Sequence, residues 1–207
     1  MISHALTIVI NELRTHLSSV YNSTPPTQVG LGNLAEGFGN LPQVSRDILN
    51  LSVVNIKEER ALKNISNVVR NDVTLTASYQ NPPVFLNFQI LVTATHTDYT
   101  NALVVLSRAI RFFQSKNVFT QDNVAPASLT TSNPLDQLET FKLIFDLYSP
   151  SMEEVNHLWG TLGGKQYPSV WYMLRMLDLQ FKAVQSESGL ITEVVSDFYH
   201  KKPVAIL

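Results

Sequence analysis

The segment that most constrains the fold runs from Val84 to Thr95 and carries hydrophobic residues at both odd and even positions. Successive side chains of a β-strand point to opposite faces of a sheet, so this pattern indicates that both faces are covered. Asn81, Pro82 and Pro83 stand immediately before it and separate it from the preceding polar stretch. We therefore predict that this segment is a central strand of a sheet.

Two main helices are predicted from apolar residues spaced three or four positions apart. The first has Ser3 as its candidate N-cap. Its apolar stripe consists of Ala5, Leu6, Val9, Leu13, Leu17 and Val20. The second has Asp98 as its candidate N-cap and extends to Lys116. Its apolar stripe consists of Tyr99, Ala102, Leu103, Leu106, Ile110 and Phe113.

The other predicted elements are shorter. Ser151 and Glu154 have the spacing of a capping box at the start of a third helix, which Gly163 and Gly164 end. Alternation of apolar and polar residues over 141–147 predicts a half-buried strand. Further strands are predicted at Val29 and Leu31, over 47–62, at Val73 and Leu75, and over 170–179.

This order of elements predicts an α+β fold, in which two main helices cover one side of a mixed, mainly antiparallel sheet. We expect one domain over residues 1–182 and a C-terminal extension over residues 183–207. The extension alternates weakly between apolar and polar residues. We therefore expect it to act as a strand-exchange arm that pairs with a neighbouring subunit.

Composition and charge limit the classes of function. Charged residues make up 15% of the chain, against roughly 25% in an average soluble domain. Either extensive burial against partners or a surface rich in Ser, Thr, Asn and Gln accounts for this deficit. The net charge of −2 offers no basic field to nucleic acid. No apolar run reaches the roughly 18–20 residues of a membrane span, and residues 1–20 lack the apolar core of a secretory signal.

The patterns that suggest chemistry are weak. Residues 30–35 fit the Gly-x-Gly-x-x-Ala dinucleotide motif, but Gly37, Gly39 and Pro42 prevent the helix that must follow it. No two of the five histidines have metal-ligand spacing on one helix, and the chain has no cysteine. We therefore expect no catalytic residue, cofactor, metal or small-molecule substrate, and a protein that is not an enzyme. A monomeric adaptor and a hydrolase with scattered site residues remain alternatives.

Two groups of residues are candidates for contacts with other proteins. The strand over 47–62 runs into a charged stretch, and four aromatic residues lie between positions 159 and 172. Aromatic side chains dominate both protein cores and interface anchors. Together with apolar positions of the extension, the predicted interface residues are Lys57, Glu58, Glu59, Arg60, Trp159, Tyr167, Ile191, Val194, Phe198 and Tyr199.

Several stretches, in this order, resemble one known family. They are the helix opening Met1-Ile2 with Leu6, Leu51 to Ile56 followed by Glu58 and Glu59, Pro82 to Phe88, Tyr99 with Ala102, Leu103, Leu106 and Ser107, Ile110 to Phe119, and Asn156 to Gly164 followed by Tyr167 to Val170. The set extends over about residues 2–180. It resembles the cap, or tail-terminator, proteins of phage-tail-like contractile injection systems.

The resemblance implies a structural role. Such proteins form a ring, usually a homohexamer, at the end of the tube and sheath that lies far from the baseplate. The ring stops further subunit addition and ties the last sheath layer to the last tube layer. The implied partners are other copies of the chain and the terminal tube and sheath subunits. The implied location is the cytoplasm during assembly, and then a released or cell-anchored injection particle.

Overall fold

The computed structural model describes residues 1–22, 24–25, 27–34, 47–62, 64–130, 134–164, 166–179, 184–191 and 193–199. The chain divides into two units, which we call the large unit (Met1–Lys63 with Pro83–Leu179) and the small unit (Asn64–Pro82 with Gln180–Leu207). The predicted domain boundary between residues 182 and 183 stays a prediction.

Strands of the large unit form one mixed sheet. The described strands of both units are β1 (Gln28–Leu31), β2 (Ile48–Glu58), β3 (Val68–Asn71), β4 (Thr76–Gln80), β5 (Val84–Ala94), β6 (Val118–Thr120), β7 (Lys142–Tyr148), β8 (Ser169–Leu179) and β9 (Val184–Gly189). Six of them follow the order β1-β2-β5-β8-β7-β6. β1 is parallel to β2, and the other pairs are antiparallel. The predicted mixed, mainly antiparallel sheet is confirmed.

Two helices supply the main core together with one face of this sheet. The described α-helices are α1 (Ile2–Tyr21), α2 (Tyr99–Ser115) and α3 (Met152–Thr161). α1 and α2 pack on the same face, as predicted. In the core below them the rings of Phe113, Phe145 and Tyr172 lie with centroids 4.7 to 6.1 Å apart. This burial of large apolar side chains is the main source of stability for the unit.

The central strand β5 has apolar residues on both of its faces, and both are covered. Phe88 and Ile90 belong to the main core, whereas Leu91 packs on the opposite face against Trp159 of α3 and Trp171 of β8. The prediction of a central strand is confirmed. α3 therefore covers part of the second face of the sheet, a position that periodicity alone did not assign.

The helix ends are set by local chemistry. Asp98 caps α2 as predicted, and its side chain accepts a hydrogen bond from the backbone N–H of Thr100 at 2.9 Å. The prediction for α1 is wrong by two residues, because the helix begins at Ile2 and Met1 occupies the N-cap position instead of Ser3. No side-chain bond from Met1 caps this end, so packing rather than capping fixes the start of α1.

The apolar stripe predicted for α2 is partly wrong. Tyr99, Leu103 and Ile110 are exposed. The buried positions of the helix are Ala102, Val105, Leu106, Ala109, Phe112 and Phe113. Two overlapping stripes of this helix satisfy helical periodicity, so spacing does not choose between them. The stripe with two alanines lies against the sheet, where small side chains permit close approach.

The strand predicted at Val73 and Leu75 is wrong. Both residues lie in the turn that joins β3 to β4, and the side chain of Val73 is 93% exposed. The Asn71 side chain accepts hydrogen bonds from the backbone N–H groups of Val73 and Thr74 at 3.0 and 3.2 Å. Leu75 has a φ of 53°. The turn chemistry of Asn71 therefore outweighs the β-propensity of the residues that follow it.

The small unit contains a three-stranded antiparallel sheet in the order β3-β4-β9. Its third strand comes from the predicted C-terminal extension. After β9 the backbone N–H of Leu190 donates to the carbonyl of Leu75 at 2.9 Å. The described residues that follow have no regular secondary structure. We call residues 190–199 the apolar arm, whose character is described below.

Candidate assembly surfaces

A cleft lies where α3 meets the end of β7 and the start of β8 in the large unit. It has a volume of about 650 Å³ and is open to solvent, and the described residues that line it are uncharged at neutral pH. Its principal lining residues, which define the aromatic cleft, are Tyr99, Leu147, Tyr148, Trp159, Tyr167 and Trp171. A concave site that combines aromatic rings with uncharged polar groups favours an uncharged, partly aromatic ligand over an ionic one.

Local structure at the two ends of α3 fixes the position of this helix beside the cleft. At the start, the Ser151 side chain accepts from the N–H of Glu154 at 3.2 Å, and the Glu154 carboxylate accepts from the N–H of Ser151 at 2.8 Å. The predicted capping box is therefore confirmed. At the other end, Gly163 and Gly164 have φ values of 95° and 77°. These left-handed conformations suit glycine and turn the chain back toward β8.

A hydrogen bond fixes one wall of the cleft. The Tyr148 hydroxyl donates to the two carboxylate oxygens of Glu154 at 3.0 and 3.3 Å. The bond from the Ser151 N–H, followed by the bond from Tyr148, lowers the pKa of Glu154. The same carboxylate raises the pKa of Tyr148, because it accepts the hydroxyl proton. Near neutral pH, Tyr148 is therefore neutral and donates its hydrogen bond to an ionised Glu154, which fixes this wall of the cleft.

Two predicted interface residues belong to this cleft. Trp159 is buried and Tyr167 is half-buried, with their ring centroids 6.3 Å apart. Trp159 thus forms part of the floor, while Tyr167 stands at the side. Sequence reasoning missed Tyr99, Leu147 and Tyr148, which reach the cleft from α2 and β7. The sequence indicates these three residues only indirectly, since each is a large apolar or aromatic residue near the end of a predicted element.

The strand β7 has an open edge next to the cleft. β6 pairs with β7 only from Lys142 to Ile144, and the N–H of Phe145 then donates to the carbonyl of Asn117 at 2.8 Å. Backbone groups alternate between the two sides of an antiparallel strand. The N–H and C=O of Leu147 therefore point to the same side as those of Phe145, where no described strand continues.

A second open edge belongs to β2. β1 pairs with β2 only from Ile48 to Leu51, and no strand among the described residues pairs with that edge from Val53 to Glu58. Val53 and Ile56 are exposed large apolar side chains on this segment. Open edges of this kind pair readily with strands of other chains.

The predicted charged residues follow this edge, and we call residues 57–60 the charged strand end. Lys57, Glu58 and Arg60 are exposed, whereas Glu59 is half-buried. The Glu59 carboxylate accepts from the N–H of Ala61 at 3.1 Å and from the Asn87 side chain at 2.8 Å. These two bonds lower its pKa. Glu59 therefore contributes contacts within its own subunit. The interface role of these four residues stays a prediction.

The apolar arm carries the remaining predicted interface residues. Ile191, Val194, Phe198 and Tyr199 are all strongly exposed, with Phe198 at 96% and Tyr199 at 88%. Such a group of exposed apolar side chains in a segment without regular secondary structure is typical of a surface that another protein covers. The interface role of these residues stays a prediction.

Chemistry of other kinds has little support in the described residues. No group of three or more His, Asp or Glu side chains among them is placed to hold a metal ion. None of their helices has the length and apolar character of a membrane span. The glycine motif contacts β2 of the sheet, because the carbonyl of Gly32 accepts hydrogen bonds from the side chains of Asn50 at 3.1 Å and Ser52 at 2.6 Å. Ala35 lies outside the described residues.

Comparison with known proteins assigns the fold to the class of tail terminators. The chain has the fold of the sheath/tube terminator of an extracellular contractile injection system (PVC) in its extended state, with a TM-score of 0.63 and 14% identity over 99% of this chain and 65% of that one. It also matches the tube-terminating cap of the anti-feeding prophage, with a TM-score of 0.56 and 14% identity over 92% of this chain and 60% of that one.

A family model gives the narrower assignment. The chain belongs to the Pvc16 N-terminal domain family, whose model matches residues 5–193. The resemblance to cap and tail-terminator proteins is thereby confirmed. The chain spans less than two thirds of the length of the two solved structures named above. No curated protein matches it.

Proposed function

We propose that this chain is the structural cap that ends the tube and sheath of a contractile injection system and links the last sheath layer to the tube. The observation that carries the proposal is the shared fold with a sheath/tube terminator over 99% of the chain. Membership of the Pvc16 N-terminal domain family supports it independently of the coordinates. The proposed role is structural, without catalysis.

The surfaces of the large unit suit such a role physically. A growing tube or sheath ends in backbone groups that the next layer normally covers, so a terminator must occupy them without offering an equivalent surface. The open β2 edge lies next to the charged strand end, of which Lys57, Glu58 and Arg60 are exposed. We place the contact with the tube there, and contacts with the sheath and with other copies on the remaining exposed apolar surfaces.

The proposed assembly is a homohexameric ring that binds terminal tube and sheath subunits. Identical copies joined by one head-to-tail contact form a closed ring when the rotation between them closes. A ring matches the circular end of a tube. Assembly is proposed to occur in the cytoplasm, after which the cap remains part of a released or cell-anchored particle.

End-specific binding is the direct test. Gold-labelled protein is mixed with assembling tube and sheath subunits of the same system, and particles are examined by electron microscopy. We expect label at one end of each particle and a narrower length distribution than in the mixture without the protein. Label along the sides of particles, or none, would contradict the proposal. A native mass near that of one chain in every condition would favour a monomeric adaptor.

A further inference from the structure

The apolar arm exposes more aromatic surface than a stable monomer normally leaves in water. Phe198 and Tyr199 are 96% and 88% exposed. Since each aromatic side chain buries roughly 150–250 Å² when covered, the pair alone offers roughly 300–500 Å². One partner in a standard interface contributes about 800 Å². With Ile191, Val194 and Val195, which are also exposed, the arm supplies most of one side of such an interface.

The aromatic cleft has the complementary character. It is an open depression with a volume of about 650 Å³, across which an extended segment can lie. Trp159 and Trp171 line it, and the described side chains around them are uncharged. Aromatic side chains that pack against such aromatic residues are common anchors of protein interfaces.

The open edge of β7 supplies the backbone part of the same site. Leu147 lines the cleft and has its N–H and C=O directed away from β8, past the last residue that β6 pairs. An extended segment laid along this edge forms backbone hydrogen bonds there while its side chains enter the cleft. The described residues of the arm are free of helix and sheet, so they can adopt that conformation without unfolding another element.

We infer that the apolar arm of one copy docks in the aromatic cleft of a second copy. The inference rests on the proposed cap function, whose self-association it explains. Every copy carries one arm and one cleft, and these are different surfaces, so the contact is head-to-tail and propagates around a ring. The arm also carries Glu193 and Asp197, which keep it solvated before it docks in an uncharged cleft.

Mixing two complementary variants tests the contact. In the arm variant, Phe198→Ser and Tyr199→Ser remove the anchors; in the cleft variant, Leu147→Glu places a charge at the mouth. All three side chains are exposed, so both variants should fold.

By light scattering, each variant alone should self-associate at least about tenfold more weakly than the original chain. An equimolar mixture should form dimers and no rings, because only one intact arm meets one intact cleft. Val73→Ser, which removes an exposed apolar residue elsewhere in the small unit, should leave self-association unchanged.

Fluorescence gives a second readout. The chain has two tryptophans, and both line the cleft. A synthetic peptide of residues 190–199 added to the arm variant should shift tryptophan emission, whereas the peptide with Ser at positions 198 and 199 should not.

An unchanged tryptophan emission together with normal rings from the arm variant would overturn the inference. Loss of sheath binding by the arm variant with normal self-association would also overturn it, and would assign the arm to the sheath. In either case, end-specific binding by the original chain would still support the cap function. If the mixed variants form dimers but the original chain does not bind particle ends, the cap function is refuted and the arm contact is retained.

Discussion

At the scale of single residues, Glu12 connects three parts of the large unit. Its carboxylate accepts hydrogen bonds from the Lys116 ammonium at 2.8 Å, the N–H of Ala125 at 2.8 Å and the Ser128 hydroxyl at 2.7 Å. Burial alone would raise the pKa of Glu12, but these three bonds together outweigh it and lower the pKa below its ordinary value. The ionised carboxylate is therefore a fixed tie between α1, the end of α2 and the segment after β6.

Replacing this carboxylate should destabilise the fold. Glu12→Gln keeps the shape of the side chain but removes its charge and leaves Lys116 without its ionic partner. We expect a loss of about 2–3 kcal/mol in the free energy of unfolding, measured with urea near neutral pH. Asp122→Asn is the matched control, because Asp122 is an exposed carboxylate in the same segment. A loss no larger than that of the control would show that the tie contributes little.

The same tie predicts a pH dependence. Since the pKa of Glu12 is lower in the folded chain than its ordinary value of 4.5, its contribution is fully present above that value. It is lost as the pH falls through the lowered folded pKa. Urea unfolding at about pH 6 and about pH 3 should therefore show a larger drop in stability for the original chain than for Glu12→Gln. An equal drop in stability for the two proteins would contradict the assignment of this pH dependence to Glu12.

The charged strand end gives a prediction about binding. Glu58 is exposed at the end of β2. Glu58→Lys reverses an exposed charge there and should weaken binding to tube ends by roughly tenfold at low salt. Co-sedimentation with tubes measures the binding, and Asp122→Lys controls for the change in net charge. Equal binding by the two variants would remove this surface from the tube contact.

At the scale of elements, α3 should be the helix most sensitive to its cap. It is the shortest of the three described α-helices, and both halves of its capping box are formed. Ser151→Ala should cost about 1 kcal/mol in the free energy of unfolding. Because Trp159 lies on this helix, we also expect tryptophan emission to move toward that of exposed indole. Ser149→Ala, two residues before the cap, should change neither quantity.

Sequence patterns predicted elements better than they predicted faces. The run over 84–95 identified β5 because two-sided burial leaves a distinctive signature, and the Ser151 and Glu154 pair identified α3 because capping is local. The stripe on α2 was partly wrong because two overlapping faces are apolar. Val73 and Leu75 were misassigned because Asn71 determines the turn. Patterns carried by a run of several residues were therefore predictable, whereas a turn set by the single side chain of Asn71 and the choice between two apolar faces of α2 were not.

The candidate site was predictable only in part. Trp159 and Tyr167 were selected for their aromatic character, and both line the cleft. The cleft itself is formed by residues from α2, β7, α3 and β8, which are distant in sequence. No local pattern indicates that Tyr99 and Leu147 reach the same space. The open edge of β7 is equally invisible, because it depends on how short β6 is.

At the scale of the whole molecule, the small number of charges has consequences for assembly. Charged residues make up 15% of the chain, and the surfaces assigned to self-association are apolar. Raising the salt concentration from about 0.1 to about 0.5 M should change the self-association constant by less than about threefold, because screening acts on charges. Light scattering at both concentrations measures it. Dissociation at the higher concentration would show that ion pairs hold the copies together.

The small unit is assembled from segments far apart in the chain, and this has a consequence for the timing of biosynthesis. β3 and β4 form a two-stranded hairpin, and such hairpins are marginally stable alone in water. Their third strand, β9, leaves the ribosome more than a hundred residues later. The large unit has all of its strands before then. The small unit, which bears the arm, therefore folds after the large unit has all of its described strands, and a nascent chain cannot use the arm to join a neighbour before residue 199 has been synthesised.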